Sequence, residues 1–376
     1  MRLVPETGKC HLSDLGPACA FLANRSYSNS PMKTLIRLAL VAAVVVVAFK
    51  WRDLRDWFAM DNASRLTSEY GNSLVFVEGK SGRGSGFICD IGGRKFVITN
   101  QHVVAGNPGA KFTLLDQSPI RSGQASAAVG HDIMSFALLS DAKAMEVMKE
   151  VEKNARVGDE VVVLGNSDGD RVIKPLTGNL LGIGPDRVEV SAEFVHGNSG
   201  SPIIHVRSGK VIGIATYYKK TYIDPITGKR KDEAEIKRFG FRLDSVRQWQ
   251  PVNWPAYNGE FQTVDKIKTR SADLWKTLKA QSWSELSAIN FTDPAIRGPL
   301  ERFAKSMNGQ DLIKASFASA FKELISSLRS SCNADVAQAQ TQLRYDYFRR
   351  ELGEEQRLRE LFYKEFDACI KLMWRH

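Results

Sequence analysis

Three short strings in the sequence hold residue types that can do chemistry together. They are Thr99-Asn100-Gln101-His102-Val103-Val104, His131-Asp132-Ile133-Met134 and Gly197-Asn198-Ser199-Gly200-Ser201-Pro202. A serine hydroxyl is a poor nucleophile at neutral pH and needs a base within hydrogen-bond reach. His102 can accept that proton and return it to a leaving amine. A carboxylate such as Asp132 then fixes the imidazole tautomer and stabilises its charged form. The tetrahedral intermediate of acyl transfer carries an oxyanion, which backbone N–H groups stabilise. Gly197 and Ser199 are the candidate donors, since glycine tolerates the backbone angles of a tight loop. A second register would slide Ser135-Phe136-Ala137-Leu138 onto the acid's strand and put Ser135 where Asp132 is expected. Asp132 is preferred because Asp-Ile-Met runs into apolar residues without a gap.

Such groups must be held on rigid elements, and the pattern around them is that of strands. From Ser73, short runs rich in Val, Ile and Phe are punctuated by glycine, among them Leu74–Val77, Ser85–Cys89, Lys95–Thr99, Ile133–Leu139, Glu160–Leu164, Pro202–His205, Val211–Thr216 and Phe239–Leu243. Short strands at regular spacing predict an all-β barrel or sandwich. Ala142–Asn154 reads as one helical interruption, and Lys219–Arg238 as a polar surface loop. After Trp249, Pro251 and Pro255 mark a change of character, and the remainder has helical spacing with little Gly or Pro. Its apolar positions, from Val264, Ile267 and Leu274 to Leu352, Phe362 and Ile370, predict a small helical bundle.

The chain has 376 residues, 43% of them hydrophobic and 25% charged, which predicts globular material in more than one domain. The boundaries read as a targeting segment over 1–50, a linker helix over 51–70, a β domain over 71–248 and a helical domain over 249–376. The net charge of +10 is spread among acids. No helix-turn-helix, zinc-finger or RNA-recognition pattern accompanies it, so nucleic acid is not an expected partner. Five cysteines, Cys10, Cys19, Cys89, Cys332 and Cys369, show no metal-ligand spacing. Cys89 reads as a buried apolar residue. Cys332 and Cys369 can pair if the chain is exported. No metal or organic cofactor is implied.

Leu38–Phe49 is wholly apolar and follows Lys33 and Arg37, the pattern of a signal peptide or, taken as Leu35–Phe49, of a membrane anchor. Met32-Lys33 is a more natural start than Met1. No small-residue cleavage site follows Phe49, so an uncleaved anchor and a removed signal are both open. Either predicts an exported chain, periplasmic or held at the outer side of a bacterial inner membrane.

The three strings, together with Gly84-Ser85-Gly86-Phe87, resemble the trypsin-like serine protease superfamily, and above all its bacterial branch similar to the HtrA/Deg proteases. The resemblance covers roughly residues 72–245, with His, Asp and Ser in the family's chain order. It implies a double six-stranded barrel of the chymotrypsin type, with His102 and Asp132 at the edge of the first barrel and Ser199 in the second. It implies a serine endopeptidase acting on polypeptides through an acyl-enzyme. Val211-Ile212-Gly213-Ile214-Ala215 resembles the strand that pairs with substrate, which makes Ile214 and Ala215 pocket candidates. Glu193, six residues before Ser199, would lie at the pocket floor and favour Lys or Arg. It also falls on the polar side of the alternation Val188, Val190, Ala192, Phe194, and would then face solvent. His196 and His205 are spare histidines. The chain departs from the family at Ser201, where a glycine is usual, and shows neither an Ile-Val-Gly-Gly start nor a recognisable PDZ domain. The competing expectation is a catalytically silent protein of the same fold that binds partners through its helical region.

Overall fold

A computed structural model of the chain describes residues 61–80, 82–223, 230–279 and 314–373. The targeting segment with its Met32 start and Leu35–Phe49 anchor lies outside the described residues, as do the side chains of Cys332 and Cys369. Among the described residues, no helix is long and apolar enough to cross a membrane.

Among the described residues are fourteen strands and six α-helices, the first of which, α1, covers residues 61–70. The first lobe is built from β1 (Leu74–Glu78), β2 (Arg83–Ile91), β3 (Arg94–Thr99), β4 (Lys111–Thr113), β5 (Ser122–Ala128), β6 (Met134–Leu138) and β7 (Met145–Glu146). Its short helix α2 is Gln101–Val104, and α3 (Val151–Asn154) leads into the second lobe. That lobe has β8 (Glu160–Asn166), β9 (Ile173–Ile183), β10 (Arg187–Val190), β11 (Pro202–His205), β12 (Lys210–Ile223) and β13 (Arg230–Phe241). β14 (Trp249–Pro251) returns to the first lobe, before the long helices α4 (Trp254–Lys279), α5 (Lys314–Gln342) and α6 (Asp346–Met373).

The second lobe is a closed six-stranded barrel, in the order β10-β13-β12-β11-β8-β9. The first lobe departs from the expected second barrel. It is an open eight-stranded sheet, ordered β14-β5-β6-β3-β2-β1-β4 with β7 on β2. Past β4 the chain turns back on itself through an isolated bridge between Thr113 and Pro119, flanked by Leu114 N–H to Ser118 O and Ile120 N–H to Phe112 O.

Alternation along the strands explains how this sheet is covered. Val75, Val77, Ile88 and Val97 belong to one apolar cluster, and Leu74, Phe87, Cys89 and Ile98 to another. Successive residues of a strand point to opposite faces. The first cluster runs on into the helices through Tyr257, Val264, Ile267, Phe348 and Leu352. The second joins the barrel through Leu164, Ile204, Val211, Ile214 and Phe241. Each such side chain, fully buried, stabilises the fold by about 1.5–3 kcal/mol. Both faces of the sheet are therefore occupied, and Cys89 is buried as expected, its thiol pushed up by desolvation.

Four segments differ from the sequence expectation. Within the expected loop Lys219–Arg238, residues 219–223 and 230–238 are instead the outer parts of β12 and β13, paired from Lys219↔Lys237 to Ile223↔Arg230. Of Ala142–Asn154, only Val151–Asn154 is helical, because Met145 and Met148 are drawn into apolar clusters and β7 pairs with β2. Ser122–Ala128 and Ile173–Ile183 are strands that hydrophobic patterning did not mark.

Candidate active site

The site forms where the open sheet meets the barrel. β3 ends at Thr99, and α2 begins two residues later. Asn100 stands at the cap position in extended conformation, yet its side chain makes no cap hydrogen bond. It donates instead to Asp132 O at 2.6 Å and to Thr216 Oγ1 at 3.2 Å. One amide thus ties the histidine segment to the aspartate segment and to β12.

His102 and Asp132 are brought together as expected. His102 Nδ1 lies 2.6 Å from Asp132 Oδ2, and the backbone N–H of His102 donates to Asp132 Oδ1 at 3.1 Å. An ionised carboxylate only accepts, so Nδ1 carries the proton and Nε2 is left as the base. The carboxylate is buried, and the imidazole is about a third exposed, at 35%. Burial pushes the His102 imidazole down. The charge and hydrogen bond of Asp132 push it up, Glu351 adds to them, Lys268 opposes them, and the balance holds it above the ordinary histidine value. The neighbouring His131 is taken up elsewhere, between Val129 O at 3.0 Å and Ser245 Oγ at 2.8 Å. Ser135 points its hydroxyl to Ser126 O within the sheet, away from the acid's position.

Ser199 arrives from the barrel, on the turn before β11. Its Oγ lies 3.4 Å from Thr216 O. The turn is stitched to β12 by Gly200 N to Ala215 O and Ala215 N to Ser201 O, at 2.9 and 2.8 Å. It is stitched to β2 by Ser85, whose N–H donates to Ser199 O and whose Oγ donates to Gly197 O, both at 2.8 Å. Gly197 has φ +88° and Gly200 φ +92°, values that disfavour any side chain. A Cβ on Gly200 would also stand 1.9 Å from Ser85 O. Among the described residues, the N–H groups of Gly197 and Ser199 have no hydrogen-bond acceptor. Two unused donors beside a hydroxyl and a carboxylate-held imidazole can hold an oxyanion while the hydroxyl attacks a carbonyl.

The pocket candidates fare differently. The side chains of Ile214 and Ala215 are buried in apolar clusters, so only their backbone can face a ligand. Glu193 is exposed, on the opposite side of its segment from the buried Ala192 and Phe194. It is not enclosed as a pocket floor would require. Spare His205 is buried between Ser208 Oγ and Asp159 Oδ2, and spare His196 is exposed beside Tyr218. Sequence reasoning missed Ser85, Asn100 and Thr216 as positioning groups. Only the Gly84-Ser85-Gly86 spacing hinted at a close approach. Among the described residues, no group of three or more His, Cys, Asp and Glu side chains converges as a metal site would.

The chain is similar to known bacterial proteases over this region. The serine protease Do-like HtrA of Bacillus subtilis is 26% identical over 172 residues, covering 42% of this chain and 37% of the relative. The chain thus spans well under half of that relative's length. Among solved structures, the HtrA-type protease AlgW with tripeptide is 20% identical, covering 49% of this chain and 60% of that one, with a TM-score of 0.37. The serine endoprotease from Yersinia pestis is 18% identical, covering 48% and 61%, with a TM-score of 0.35. Residues 84–214, from the glycine that opens the Ser85 contact to Ile214 on β12, match the trypsin-like peptidase domain family.

Proposed function

We propose that the protein is a serine endopeptidase that cleaves polypeptides through an acyl-enzyme on Ser199. His102 Nε2 takes the Ser199 proton as Oγ attacks the scissile carbonyl. Asp132 steadies the imidazolium so formed, and the N–H groups of Gly197 and Ser199 hold the oxyanion. The imidazolium then protonates the leaving amine. Water, deprotonated by His102, releases the acyl group and restores the hydroxyl. The observation that carries this reading is the 2.6 Å contact from His102 Nδ1 to Asp132 Oδ2, within one site with the two unused N–H groups. The hydroxyl rests 3.4 Å from Thr216 O, so the proposed attack requires it to turn from that acceptor toward His102 Nε2.

In this reading residues 71–248 form the peptidase domain of double-barrel type, and 249–376 are its helical partner. The apolar run at Leu35–Phe49 exports or anchors the chain, with the peptidase facing outward from the cell membrane.

Labelling with a fluorophosphonate probe, read by intact mass, tests the assignment. One adduct on the parent, none on Ser199→Ala, and labelling slowed about 10³- to 10⁴-fold in Asp132→Asn are the expected results. An unlabelled parent, or equal labelling of Ser199→Ala, would overturn it and favour a silent, partner-binding protein of this fold.

A further inference from the structure

Resting on the peptidase reading above, we propose that Arg238 selects the substrate residue on the acyl side of the scissile bond, and that the side chain it takes is aspartate or glutamate. A carbonyl attacked by Ser199 turns its oxygen toward Gly197 and Ser199 N–H, and His102 with Asp132 closes the other side. The side chain of that residue is left the space between segment 194–196, which leads into Gly197, and segment 216–218, which begins at the carbonyl next to Ser199 Oγ.

These two segments are tied across the opening. Tyr218 Oη lies 3.1 Å from His196 Nε2, with the two rings edge-on at 5.7 Å. Arg238 is the register partner of Tyr218 on β12 and of Val190 on β10. It therefore stands on the strand that backs both walls. Its half-buried side chain donates Nε–H to Phe194 O at 3.1 Å, which turns the guanidinium toward the segment carrying His196 and Gly197.

A guanidinium has five N–H donors in a planar fork. Among the described residues, Nε of Arg238 is matched and its two terminal nitrogens have no hydrogen bond or ion pair. Described carboxylates near these segments are engaged elsewhere or turned away. Glu235 pairs with Lys237, and Glu193 is turned to solvent. An incoming Asp or Glu side chain can form the paired, charge-assisted bonds that guanidinium geometry favours. Lys or Arg would meet a like charge, which sets preference by repulsion as well as attraction. This inverts the preference that Glu193 at the pocket floor would give.

The test uses the full chain and fluorogenic peptides that differ only in the residue before the cleaved bond: Glu, Asp, Ala, Leu or Lys. Fluorophosphonate labelling of every variant runs in parallel and reports whether Ser199 is competent. The parent is expected to favour Glu or Asp over Ala by about 10- to 100-fold in kcat/KM, with Lys lowest. Arg238→Gln should collapse the Glu-to-Ala ratio by about tenfold or more, and Arg238→Glu should bring Lys above Glu. A labelled parent that ranks Lys or Leu first overturns the proposal and leaves the peptidase reading standing. An unchanged ranking in a labelled Arg238→Gln does the same. A parent that does not label removes the peptidase reading, and this proposal with it.

Discussion

Tyr257, on the first long C-terminal helix, donates its hydroxyl proton to Gln101 Oε1 across 3.2 Å, and Gln101 is the residue before His102. The same Gln101 gives Nε2–H to His131 O at 2.8 Å and to Ala128 O at 3.3 Å. A helix outside the peptidase lobes thus holds the segments that carry both the histidine and the aspartate. Burial, with the charge of Asp132 adding to it, pushes the Tyr257 hydroxyl well above its ordinary value, so it stays a donor across the working range. Tyr257→Phe should cost about 0.5–1.5 kcal/mol of stability. It should also slow labelling of Ser199 several-fold. Thermal melts and labelling rates on the same samples check both.

The pH dependence of activity follows from His102. The base must be neutral, and its value is held above the ordinary 6.5. Labelling and kcat/KM should therefore rise with pH through a midpoint above that value. Glu351→Gln, removing an upward push, should lower the midpoint, and Lys268→Gln should raise it. Stability runs the other way. A raised histidine contributes fully below the unfolded-state value and loses that contribution as pH rises through the folded-state value. Melts and rates across pH 5–9 should show activity rising where this stabilisation fades.

Ser85 and Gly200 give a pair of substitutions with opposite physical bases. Ser85→Ala removes the donor to Gly197 O and the acceptor of the Asn166 N–H, leaving buried polar groups unmatched. A loss of about 1–3 kcal/mol and slower labelling are expected. Gly200→Ala would force a Cβ against a backbone oxygen that cannot retreat without moving β2. Loss of labelling, with or without loss of folding, is the expected outcome, and wild-type labelling would refute the close approach.

Removing residues 249–376 should not yield a stable peptidase fragment. β14 pairs with β5, and Tyr257, Val264, Ile267, Phe348 and Leu352 cover the inner face of the open sheet. Uncovering a contiguous apolar face favours aggregation. Residues 70–248 alone are expected to be poorly soluble or to melt at least about 10 °C lower, as differential scanning fluorimetry would read.

How far the fold could be read from sequence depended on where each residue's partner lies. The His102–Asp132 contact was legible because the chemistry proposed for the site restricts both residue type and order. Pro202–His205 was legible because Pro202, Ile203 and Ile204 form a short apolar run, as a buried strand does. Ser122–Ala128 has no β-branched or aromatic residue, and Ile173–Ile183 contains Pro175 and Gly178, so neither reads as a strand although pairing makes both so. Lys219, Lys220 and Lys237, on the described outer part of β12 and β13, are exposed, so no apolar alternation marks these stretches as strands. Ala142–Asn154 is rich in helix formers, but burial of Met145 and Met148 outweighs propensity. Asn100, Thr216, Tyr257 and Arg238 act through partners that lie 32 to 156 residues away, as with Asp132 for Asn100 and Gln101 for Tyr257, and no local pattern carries that information.

His102 and Asp132 come from the open-sheet lobe, and Ser199 comes from the barrel. The apolar seam between them draws Phe87, Cys89 and Ile98 from one side and Leu164, Ile204 and Phe241 from the other. Covalent capture of Ser199 therefore works as a gauge of lobe docking. A displacement of about 1 Å between the halves is enough to cost rate while leaving every ladder of hydrogen bonds intact. Under gentle denaturant the label should fade before the circular dichroism of either half does, which makes the chemistry the first witness of the seam coming apart.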